Sequence, residues 1–126
     1  MNIIIKSIPH KEHRYPTCGD WWYENGDLHI RVSEEMPIRS QHLVVLHELA
    51  EVMMCQANGV SQESVDHFDM NFEANRHPDD ESEPGDHADA PYNVQHGLAT
   101  AIERIAATQM GVNWLEHEKD IGKLFE

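Results

Sequence analysis

Positive charge is what this 126-residue chain has least of: nine Lys and Arg stand against 23 Asp and Glu, for a formal net charge of −14. A field of that sign repels phosphate backbones and anionic membrane surfaces, so no nucleic-acid or membrane partner is expected. It leaves room for a cation site, a basic protein partner or plain solubility. Cysteine is as scarce. Cys18 and Cys55 lie far apart with no CxxC spacing, which excludes a zinc knuckle or a disulfide framework and suits a reducing compartment. Long apolar runs are missing too. Nothing approaches the ~20 residues that span a bilayer, and Ile3-Ile4-Ile5 behind Met1-Asn2 is too short for the apolar region of a signal peptide. The expected location is cytoplasmic. A Gly-rich phosphate loop and a Ser nucleophile elbow are also absent, so nucleophilic catalysis has nothing to rest on.

Apolar residues at 40% and charged residues at 25% are enough to build one real core, and the length fits a single domain over 1–126. The one oddity is histidine, ten residues against nine Lys and Arg. Neutral imidazole is a common metal ligand, so the placement of these residues decides whether they mean chemistry.

β-branched Ile3, Ile4, Ile5 and Ile8 predict a first or edge strand ended by Pro9. Trp21-Trp22-Tyr23 leads through Asn25-Gly26 into Leu28-His29-Ile30-Arg31-Val32. Asn-Gly tolerates the positive φ of a type I′ turn, and the period of two in the second arm predicts an antiparallel hairpin with one buried face. After Pro37, with Ser40 as N-cap, Leu43, Leu46, Ala50, Met53, Met54 and Ala57 predict a helix over about 40–57. A second helix over about 62–75 starts at the Ser61 cap and buries Val65, Phe68 and Phe72. Residues 77–90 carry six acidic side chains and no large apolar one, which predicts a loop, either an acidic lid or a disordered segment. Its acidic residues lack EF-hand spacing. Asp89 as cap and Pro91 as first residue predict a third helix over about 91–110, with Leu98, Ile102, Ile105 and Ala106 as its buried stripe and Gly111 as its stop. The tail from Trp114 to Phe125 has weaker helical spacing. The fold class is α+β: an N-terminal antiparallel β-hairpin or small sheet on three to four helices.

Within the helix over 40–57, His47 and Glu51 stand four residues apart and stack on one face, where two ligands of one metal fit. Glu48 sits at the edge of that face, placed to act on a water. Leu46-His47-Glu48-Leu49-Ala50-Glu51 resembles the His-Glu-x-x-His helix of the zincin metallopeptidases, with Glu51 where the second His stands. An aliphatic run into the helix and strands before it are similar to small zincins of the ImmA/IrrE type. The resemblance implies a metal-dependent hydrolase acting on a peptide or protein, with His47 and Glu51 as ligands and Glu48 as general base toward a metal-bound water. His96, opening the third helix with Glu103 two turns on, is the expected third ligand; His87 is the alternative. Zinc is the expected cation, and a carboxylate in place of an imidazole hardens the site toward manganese or iron.

Two rivals come from other classes. Glu48-x-x-Glu51 followed by Asp66-x-x-Asp69 is similar to the paired acidic motifs of MazG-type nucleotide pyrophosphohydrolases, which implies magnesium between helices and nucleoside triphosphate cleavage. A non-enzymatic acidic module is the other: a structural metal pins the first helix to the third and the acidic loop meets a basic protein.

Overall fold

The computed structural model describes all residues, Met1–Glu126. Its strands are β1 (Ile3–Ile8), β2 (Gly19–Glu24) and β3 (Asp27–Ser33), and its helices α1 (Ile38–Ala57), α2 (Gln62–Ala74), α3 (Asn93–Met110) and α4 (Trp114–Lys123). The fold is α+β. No helix is long and apolar enough to cross a membrane.

Asn25 and Gly26 make the hairpin turn at φ 52° and 81°, both left-handed, and so join β2 to β3 antiparallel. β1 pairs with β3 in parallel, giving the order β1-β3-β2 and a mixed sheet rather than a purely antiparallel one. The period of two works as the sequence predicts: Leu28, Ile30 and Val32 are buried. Trp21, Leu28 and Ile30 form the main core with Val52, Cys55, Val65, Ala90 and Tyr92, while Val32 packs with Met36 and Val44 in a smaller cluster. Burying a side chain such as Ile30 contributes about 2 kcal/mol. On the opposite sheet face Trp22 stacks on His29 and lies 4.8 and 5.2 Å from the Arg14 and Arg31 guanidinium carbons.

α1 begins two residues earlier than its pattern predicts, with Pro37 at the N-cap position. Ser40 is not a cap; it is buried and its hydroxyl serves His117. α2 does start at the Ser61 cap, whose side chain accepts from Ser64 N at 3.2 Å. α3 begins at Asn93 rather than at Pro91, and Asp89 does not cap it.

The largest departure is the face of α3. Leu98, Ile102 and Ile105 do not form its buried stripe; they are exposed, Ile105 to 72%. The buried side is Gln95, His96, Ala99, Glu103 and Ala107. Small Ala99 and Ala107 let α3 lie close along α1, and polar His96 and Glu103 go inward because α1 presents His47 and Glu51 to meet them. α1 behaves alike: its buried face runs through Leu43, Val44, His47, Glu48, Glu51, Val52 and Cys55, while Met53 is exposed.

Within residues 77–90, the stretch 84–87 packs against α2 and α3. The His87 ring packs on Phe72, and a one-turn helix at Pro84–Asp86 sits on α3. Gly111 ends α3 at φ 69°, and α4 follows under the Asn113 cap.

Candidate metal centre

α1 and α3 bring His47, Glu51 and His96 together. His47 Nε2 lies 3.1 Å and His96 Nδ1 3.0 Å from the same oxygen, Glu51 Oε2. One ligand atom from each of the three residues falls within 4.8 Å of the others, and all three side chains are buried. Two imidazoles and one carboxylate converging on a point make a donor set for zinc, manganese or iron.

A further carboxylate and an indole hold these side chains in place. The other Glu51 oxygen accepts from Trp21 Nε1 at 2.9 Å, so β2 orients the carboxylate. His47 Nδ1 donates to Glu103 Oε1 at 2.9 Å, and the second Glu103 oxygen accepts from His117 Nε2 at 2.6 Å. The Ser40 hydroxyl, 2.8 Å from His117 Nδ1, ends the chain. A carboxylate behind a ligating imidazole sets its tautomer and raises its basicity. The sequence pattern reached Glu103 by its helical spacing. It gave no sign of His117 or Trp21, which lie on other elements.

Neighbouring carboxyls titrate in opposite senses. Burial works to raise Glu51, but hydrogen bonds from His47 and His96 overcome it and hold this carboxyl down at about 2. Burial pulls His96 down, and its contacts with Glu51 and Glu83 outweigh that, leaving it raised to about 10. His47 is likewise raised, because Glu103 and Glu51 more than offset burial. Glu48 has no such donors. Burial, then the Glu51 charge, push it well above the usual carboxylate range. Its Oε1 lies against Gly19, where a Cβ would be 2.7 Å away, so only glycine lets β2 pass this close. A carboxyl shifted upward beside a ligand cluster has the proton affinity that general acid–base work needs.

The remaining candidates lie elsewhere. His87 bonds Ser82 and is not in the cluster. Asp66 pairs with Arg14 at 3.0 Å, and Asp69 accepts from the Tyr15 and Tyr92 hydroxyls at 3.0 and 2.6 Å. Both acids of the Asp66-x-x-Asp69 pair are therefore already engaged, and a three-stranded sheet has no place in an all-helical bundle. The outward groups of β2 are engaged too. Thr17 bonds Gly19, Arg14 reaches Trp21 O at 3.4 Å and Gln62 Oε1 accepts from Tyr23 N at 2.7 Å. An extended peptide would join this edge only by displacing those side chains.

Comparison of the chain with known protein families, with characterised proteins and with solved structures returns no match.

Proposed function

We propose that the protein is a zincin-like, metal-dependent hydrolase of amide bonds. The observation that carries this reading is the convergence of His47 Nε2 and His96 Nδ1 on one Glu51 oxygen, with Glu48 unpaired and shifted upward beside them. His47, Glu51 and His96 would hold a divalent cation, which would supply Lewis-acid polarisation of a carbonyl and of a water. Glu48 takes the proton of the attacking water and returns it to the leaving amine, a cycle that a raised carboxyl pKa favours. Trp21 and Glu103 do not touch the reacting atoms; they hold Glu51 and His47 in position. Zinc is the expected cation, with manganese or iron supported by the carboxylate ligand.

Replacing Glu48 with Gln preserves the side chain's size and removes its basicity. Cation content should stay at the wild-type level while peptide hydrolysis falls by about 10²–10⁴-fold. Wild-type turnover in Glu48→Gln would remove Glu48 as the base.

The burial of all three ligands favours one second reading, a structural cation that pins α1 to α3 in an acidic binding module. Under it, Glu48→Gln has no catalytic effect and leaves partner binding unchanged. Binding of a basic partner protein then weakens steeply with salt.

A further inference from the structure

The imidazole of His96 has two nitrogens, and the centre described above uses one. Nδ1 faces inward to Glu51; Nε2 faces outward, 3.0 Å from Glu83 Oε2 and 3.2 Å from Asp86 Oδ1. Both contacts are short, yet neither is directed as a hydrogen bond. His96 Nε2 is thus a buried nitrogen without a hydrogen-bond partner, on a residue only 6% exposed. An N–H donor is poorly served by oxygens off its axis. A ring nitrogen flanked by two carboxylate oxygens is well placed to share a cation with them.

The backbone builds this arrangement. A Cβ on Gly85 would lie 2.7 Å from His96 Nδ1, so the turn at Pro84–Asp86 rests on the ring only because residue 85 has no side chain. Asn93 on α3 holds the turn by donating to Gly85 O at 3.0 Å. Glu83 N donates to Asp86 Oδ2 at 3.2 Å, which leaves Asp86 Oδ1 to face the ring. Glu83 and Asp86 are exposed while His47, Glu51 and His96 are buried, so this trio opens to solvent where the inner one does not.

The geometry points to a second divalent-cation site formed by Glu83, Asp86 and Nε2 of His96, on the solvent side of the imidazole that the buried centre uses from within. It rests on the proposed metal centre only for the sharing of that ring; the outer trio has its own residues. With both sites filled, His96 is a bridging imidazolate, and both of its ring protons pass to solvent as the cations arrive. Two carboxylates and one nitrogen near solvent make a harder site than the inner pair of imidazoles, which suits manganese.

Manganese titration of the full chain, stripped with chelator and followed by the free-ion electron paramagnetic resonance signal, tests the site. Wild type should bind two equivalents. E83Q/D86N, which alters two exposed side chains without changing their size, should bind one; His47→Ala, which keeps the outer trio, should also bind one. Far-UV circular dichroism checks that each variant is folded, and Glu51→Gln replaces His47→Ala if the latter is not. A single equivalent in wild type that E83Q/D86N keeps, or two equivalents in both proteins, overturns the second site. In either case loss of binding in His47→Ala leaves the inner centre standing, whereas a wild type that binds no cation overturns both.

Discussion

Burial raises the carboxyls of both Glu48 and Asp69, and Asp69, which lies outside the His47–Glu51–His96 cluster, allows the effect to be measured. Burial raises Asp69 to about 7 against the hydrogen bonds from Tyr92 and Tyr15 that oppose the shift. Its ordinary value is 3.8. Below that pH the group is protonated in the folded and unfolded chains alike. As pH rises, the unfolded chain ionises first, so the stability contributed by neutral Asp69 is lost progressively until the pH passes about 7. The loss is on the order of 2–4 kcal/mol. Urea unfolding of wild type and Asp69→Asn between pH 4 and 8 should therefore show the gap between them shifting in favour of Asn as pH rises. A gap independent of pH would mean that Asp69 is not held neutral.

Three helices meet at Glu103: α3 carries it, α1 brings His47 to one oxygen and α4 brings His117 to the other. Glu103→Ala strands two buried imidazole nitrogens at once. Breaking a buried pair in this way costs about 3–5 kcal/mol, and under the proposed function removal of the carboxylate behind His47 should lower cation affinity about 10–100-fold. Chemical unfolding and competition with a zinc indicator would read the two effects separately. The same residue marks how far the site was legible in the sequence. His47, Glu48 and Glu51 fall within one helical turn and a half, so 3.6-residue periodicity places them together, and His96 and Glu103 share a face of one helix. His117 and Trp21 reach the centre through tertiary packing that no local period reports. The buried face of α3 departs from the apolar pattern for a related reason. Apolar periodicity locates a core only where the core is apolar, and here the helix turns His96 and Glu103 inward, leaving Leu98 and Ile105 outside. The hairpin was legible because Asn25 and Gly26 act within four residues.

At the scale of the whole molecule, a cation at the centre would join α1 to α3 and act as a ligand bound only by the folded state. Stabilisation by such a ligand is about 2.7 kcal/mol at a hundredfold excess over Kd. Stripping with chelator should lower the Tm by on the order of 10 °C, with recovery on adding zinc. An unchanged Tm would argue that no cation bridges the helices. The acidic excess is consistent with this role, since a field of charge −14 raises the local concentration of cations around the fold.

The parallel pairing of β1 with β3 also shapes how the chain assembles. β2 finds β3 across a two-residue turn, whereas β1 must wait for β3 and then close a loop containing the entire hairpin. That closure entropy is lost before the ladder of bonds returns anything. β1 should therefore dock last and detach first. Its amides can trade hydrogens with solvent through a local opening that leaves the helices, and the cluster between them, intact.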